Sequence, residues 1–321
     1  MFNFKENTMK AKNILILLCC TAGIFMFGSC DTDVEALEIQ TLKTYDEHYF
    51  QNVRDFKKSD HEISYAYYEA WSPEEGVSGY KDPASWGERM VGLPDSIDIV
   101  NLWMGIPTAE THPIAYADMK YCQEKLGTRF VMHGDASHYN HKFTVDGIEY
   151  DLSKDKGDEA MAAYAKDIVR QVLEPGLDGV DVDYEGWHSE DLVRLIKELG
   201  KYFGPKGEDP SKLLIVDYFR SGVPTEIVEY CDYIVQQAYS NQTSLLPPSN
   251  VPSEKMIYCE TFGVFYATGG KLLDYARWEP GTGRKGGCGV FFLGRNYNSA
   301  SGIPYNEFRQ AIQIMNPVIT E

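Results

Sequence analysis

Apolar residues recur along this chain in short runs. Eight stand out, at residues 63–71, 97–103, 129–133, 179–185, 213–218, 233–239, 255–260 and 289–293. They are a few residues long and carry mostly β-branched and aromatic side chains, which predicts strands. Most are separated by amphipathic stretches, notably 161–173, 189–203 and 271–278, and 303–315 closes the chain as a helix. Strands alternating with helices imply βαβ units and a parallel sheet. Eight of them over about 250 residues fit a (β/α)8 TIM barrel. The rival is an open doubly wound sheet, but no Gly-rich phosphate fingerprint follows an early strand. The intervals after 213–218 and 233–239 are short, so small or irregular crossovers are expected there.

The first 60 residues follow a different pattern. Lys10 and Lys12 precede an apolar run at 14–27, then Gly28, Ser29 and Cys30. That order is a charged region, an apolar region and a small-residue cleavage site. The run is too short for a permanent membrane span. A Cys just after small residues resembles a bacterial lipobox, so residues 1–29 are expected to be a lipoprotein signal peptide and Cys30 the lipidated first residue. Residues 30–60 read as a polar tether with a lead-in helix near 37–56. The acids Asp31, Asp33 and Glu35 suit either a solvated linker or a surface-export tag. The expected location is the bacterial outer membrane, held by a lipid anchor. The catalytic domain is then 61–321.

The fourth strand carries the most informative residues. Positions 177–185 read LDGVDVDYE. Successive side chains of a strand point to opposite faces. Asp181, Asp183 and Glu185 therefore share one face, while Val180, Val182 and Tyr184 share the other. Three carboxylates roughly 7 Å apart along one face repel and desolvate each other, so at least one should titrate high. A calcium loop would place Gly near the middle of a turn, whereas Gly179 stands at the start, and a solvated run would not alternate with Val.

This run resembles the D-G-x-D-x-D-x-E signature of glycoside hydrolase family 18, the chitinases and endo-β-N-acetylglucosaminidases, at every fixed position. The resemblance implies a retaining, substrate-assisted reaction, an exception to the two-carboxylate rule. Glu185 would protonate the leaving oxygen, and the substrate's own 2-acetamido oxygen would attack. Asp183 would orient that amide, Asp181 would share a proton with Asp183, and Asp178 would be structural. Gln237 and Tyr239 look like the family's Q-x-Y element, with Tyr239 donating to the acetamide oxygen and Gln237 binding substrate. Other strand ends supply candidate sugar contacts: Glu69, Trp71, Trp103, Tyr218 and Asn296, with His133, Asp135, Glu260 and Tyr297 behind them. His133, His138 and His141 cluster near Asp135, but their spacing fits no helix-borne ligand pair. No metal and no cofactor are expected.

Composition narrows the substrate. Net charge is −18, which argues against nucleic acid and for a neutral or weakly charged ligand. Twenty-two Tyr and five Trp are compatible with sugar stacking and equally with core packing. Beyond the leader, Cys122, Cys231, Cys259 and Cys288 are widely spaced, suiting buried thiols better than a zinc site.

The eighth strand lacks the Trp usual in chitinases, and the interval after Glu260 has no room for the α+β insertion many of them carry. Both absences are shared with endo-β-N-acetylglucosaminidases. The expected function is therefore hydrolysis of the GlcNAc–GlcNAc core of N-linked glycans. A chitinase acting on chitooligosaccharides, or a non-catalytic surface glycan-binding lipoprotein, remains the alternative. The expected partner is an N-linked glycoprotein or a GlcNAc-containing oligosaccharide, bound by a monomer.

Overall fold

A computed structural model describes residues 44–71, 86–219, 222–240, 245 and 248–317. The leader, Cys30 and most of the tether lie outside them. The described chain begins with helix α1 (Glu47–Lys58), capped by Asp46, whose side chain accepts from Tyr49 N at 2.8 Å. Residues 37–43 of the expected lead-in helix lie outside the described residues.

Eight strands form a closed parallel barrel: β1 (Ile63–Tyr67), β2 (Ile99–Leu102), β3 (Arg129–Asp135), β6 (Gly179–Tyr184), β7 (Leu213–Tyr218), β8 (Tyr233–Gln237), β9 (Met256–Thr261) and β10 (Gly287–Phe291). All eight expected strands are present, four of them shorter than the runs suggest. Two more strands, β4 (Lys142–Val145) and β5 (Ile148–Asp151), make an antiparallel hairpin after β3 that the pattern does not announce.

The helices α2 (Pro113–Tyr121), α3 (Asp158–Leu173), α4 (Ser189–Leu199), α5 (Phe262–Phe265), α6 (Leu272–Arg277) and α7 (Asn306–Met315) complete the order. On α4, Leu192, Leu195, Ile196 and Leu199 are buried at helical spacing. After β7 and β8 the described crossovers contain only 3-10 turns, Thr225–Ile227 and Ser253–Lys255, as the short intervals require.

Two cores result. One lies between barrel and helices, and contains Val180, Val182, Leu214 and Val216. The other fills the barrel, with Ile63, Ile99, Val131, Leu213, Ile215, Val235 and Ile257. Toward the strands' carboxyl ends this inner core turns polar, through Tyr65, Asn101 and Asp181 and then Tyr67, Asp183, Asp217 and Gln237. That end is where barrel loops build a site.

The DG of the acidic run works at the opposite end of β6. Gly179 has φ +149, and a Cβ there would sit 2.2 Å from Leu213 O, so only glycine fits. Asp178 accepts from Phe130 N at 2.9 Å and Gln123 Nε2 at 2.6 Å, pinning the strand's start.

Candidate active site

Strand period two carries the acids up the barrel axis. Asp181 is fully buried. Its Oδ2 accepts from Tyr65 OH at 2.5 Å, Asn101 Nδ2 at 2.9 Å and Tyr67 OH at 3.2 Å. Asp183 is partly buried one step higher, and Glu185, just past the strand, is exposed. The ladder is thus dry at its base and wet at its top.

Burial pushes the Asp183 carboxyl up to about 11, helped by the neighbouring Asp217, Glu185 and Asp181. Asp181 is raised well above the usual range, first by burial and then by Asp217. Both keep a proton at neutral pH. His133 Nε2 lies 3.8 Å from Asp183 Oδ2, but burial lowers the histidine's pKa. At neutral pH this is a contact between two neutral groups rather than an ion pair.

Asp183, Asp217, Glu185, Gln237 and Tyr239 line one pocket of about 250 Å³, with His133 and Tyr67. Trp103 and Phe291 form its aromatic wall, their rings 5.0 Å apart and nearly perpendicular. Tyr239 packs against Phe291 at 5.9 Å. Its backbone, like that of Ser240, is left-handed, with φ 37° and 53°. Bulky residues adopt that region at a cost, and the surrounding fold must impose it. Here backbone bonds from Ala238 N and Tyr239 N to Cys259 O close the turn after β8. Burial holds the Tyr239 phenol protonated, so it serves as a hydrogen-bond donor.

Five of the expected sugar contacts, Glu260 among them, lie elsewhere, and these are corrections. Tyr218 faces outward into the helix-side core, because on β7 it is Asp217 that points into the barrel. Trp71 is buried in the same outer core, with its ring edge-on to His112 at 5.2 Å. Asn296 is fully buried in the turn after β10, where its Nδ2 donates to Glu307 and to Tyr266 O. Glu69 does not line the pocket: it accepts from Gly294 N at 3.3 Å, and burial raises it to about 7. Trp103 and Gln237 line the pocket. Glu260 is fully buried and caps Thr261 N and Lys271 N.

Asp217, Tyr67 and Phe291 escape the sequence reading. Asp217 had a signal, as the only charged residue in the strand LLIVDY. Phe291 occupies the end of the strand in which a Trp was sought.

The four cysteines of the barrel domain are buried free thiols. Burial pushes Cys122 and Cys288 up to about 12.

Known proteins resemble this chain. The family model of the endo-beta-N-acetylglucosaminidase EndoS TIM-barrel domain matches residues 66–262. Endo-beta-N-acetylglucosaminidase F2 of Elizabethkingia meningoseptica is 26% identical over 96% of this chain and 100% of its own length. The apo crystal structure of an endo-beta-N-acetylglucosaminidase from Cordyceps militaris aligns with TM-score 0.66 at 21% identity, covering 86% of this chain and 98% of that one. A GH18 chitinase from Pseudoalteromonas aurantia aligns with TM-score 0.51 at 16% identity, over 78% and 99% of the two chains. Both structural likenesses concern the fold.

Proposed function

The chain belongs to the endo-beta-N-acetylglucosaminidase EndoS TIM-barrel family, and from that premise we propose how it acts: it hydrolyses the β-1,4 bond between the two core GlcNAc residues of N-linked glycans, with retention. One observation carries the reading. Glu185, Asp183, Gln237 and Tyr239 converge on one aromatic-walled pocket at the barrel's carboxyl mouth.

A GlcNAc residue enters with its ring against the Trp103–Phe291 wall. Glu185, at the wet rim, protonates the glycosidic oxygen as the bond to the aglycone breaks. The 2-acetamido oxygen attacks the anomeric carbon from below. Tyr239 donates its hydroxyl to that oxygen, Gln237 steadies the amide, and Asp183 takes the hydrogen bond of the amide N–H as positive charge develops. Water then opens the oxazolinium, with Glu185 acting as base. Residues 262–286 hold only two short helices between β9 and β10. That leaves an open rim, which suits a branched glycan better than a long polymer groove.

The test is incubation with an N-linked glycoprotein, followed by mass analysis. Glycan release that leaves one GlcNAc on Asn supports the reading, with Glu185→Gln still folded and at least a thousandfold slower, within the usual range for a lost general acid and its coupled steps. Retention without cleavage supports a binder, and cleavage confined to chitooligosaccharides supports a chitinase.

We also infer that Cys30 anchors the mature chain to the outer membrane, from the residues before it. Incorporation of labelled fatty acid that is lost in Cys30→Ala checks the anchor. Impermeant labelling of intact cells reports the face.

A further inference from the structure

We propose that Asp217 is a positioning residue for this hydrolysis: it bridges Asp181 and Asp183, takes the proton of Asp183 when substrate binds, and leaves Asp183 ionised for the acetamido N–H. The proposal rests on the hydrolase reading above.

Asp217 is fully buried on β7, in register with Asp183 on β6. Tyr67 OH donates to its Oδ2 at 2.6 Å, and Gln237 Nε2 to its Oδ1 at 2.8 Å. Two neutral donors aimed at one carboxyl suit an anion. Asp217 also lies close enough to Asp181 and Asp183 to raise both carboxyls. Carboxyl groups bond each other only with a proton between them. Asp181 Oδ1 is buried and receives no donor, while Tyr65 OH and Asn101 Nδ2 donate to its Oδ2, so Oδ1 is the free place for such a proton.

Among the described residues, the groups around the cluster supply no charge to replace it. Burial keeps the protons of Tyr65, Tyr67, Tyr239 and Cys259 in place, and it disfavours the charged form of His133. The exposed Glu185 brings no positive charge to the cluster. The three aspartates therefore redistribute protons among themselves rather than losing them to water.

In the transfer, the O–H bond on Asp183 breaks and one forms on Asp217. The cluster's net charge is unchanged and no solvent proton enters. Gln237 Nε2 touches both partners, at 3.2 Å from Asp183 Oδ1 and 2.8 Å from Asp217 Oδ1, so one amide holds the pair aligned throughout.

Asp217→Asn keeps the shape but removes the proton acceptor. With the full chain and an N-linked glycopeptide, kcat should fall roughly a hundredfold or more, as for a lost charge-stabilising group, with KM within about threefold. The acid limb of the kcat/KM profile should shift while the basic limb stays, and thermal stability should not drop. An active wild type alongside an Asp217→Asn variant with unchanged kcat and profile overturns this proposal alone. A wild type that releases no glycan overturns the hydrolase reading and this proposal with it. If Asp217→Asn does not fold, Tyr67→Phe, which removes one hydroxyl donor to Asp217, should move the same limb by less; an unmoved limb overturns the proposal.

Discussion

The high-titrating Asp183 makes a stability claim that Asp183→Asn tests without substrate. The folded chain keeps this proton up to about pH 11, whereas an unfolded Asp releases it near 3.8. Stability from this carboxyl is therefore full below about pH 4 and drains as pH rises toward 11. Each pH unit removes about 1.4 kcal/mol, so about 4 kcal/mol is lost by pH 7. Water still reaches 16% of the Asp183 side chain, and screening trims the figure to about 2–3 kcal/mol. Asparagine has no proton to hold and can still accept from Gln237. The variant should melt about 4–6 °C above wild type near pH 7, by the usual conversion for a domain of this size. The gap should widen toward about pH 9 and close near pH 4, because the linkage runs only between the two pKa values. Scanning calorimetry across that range reads it directly. Parallel melting curves for the two proteins at every pH would refute the buried, protonated carboxyl.

Two further outcomes follow from packing and charge. Trp103→Ala removes half of the pocket's aromatic wall, so KM should rise about tenfold, or about 1.4 kcal/mol, with kcat changed less. Lys285 is fully buried, pairing with Glu62 at 2.7 Å and donating to Ala276 O at 3.0 Å. Lys285→Ala strands that carboxylate and should lower urea-unfolding stability by about 3–5 kcal/mol, and a midpoint equal to wild type would show that the pair carries no weight.

The strand order was readable because β-branched runs bounded by loop residues mark strands whatever surrounds them. The acidic face of β6 was readable because Val alternates with Asp, which fixes the period. On β7 the residues around Asp217 are apolar on both faces, as in any doubly covered parallel strand, so alternation gives no phase. An aromatic next to the inward acid was read as the sugar contact, and a one-residue slip exchanges the faces. Trp71, Glu69 and Asn296 lie beyond the strands, where position depends on contacts with distant segments such as Gly294 and Glu307. Nothing in the local pattern separates such a residue from one that lines the pocket. The β4–β5 hairpin was missed for a related reason: none of its strand residues is fully buried, so no apolar run announces it.

The central claim is that the substrate's own amide attacks in this pocket while Glu185 delivers and then recovers a proton. Proton NMR of the released glycan, taken in the first minutes of cleavage before mutarotation, tests it most directly. The reducing-end GlcNAc should appear first as the β anomer. Initial appearance of the α anomer would mean direct attack by water, and the assignment of Asp183 and Tyr239 to the acetamido group would be wrong.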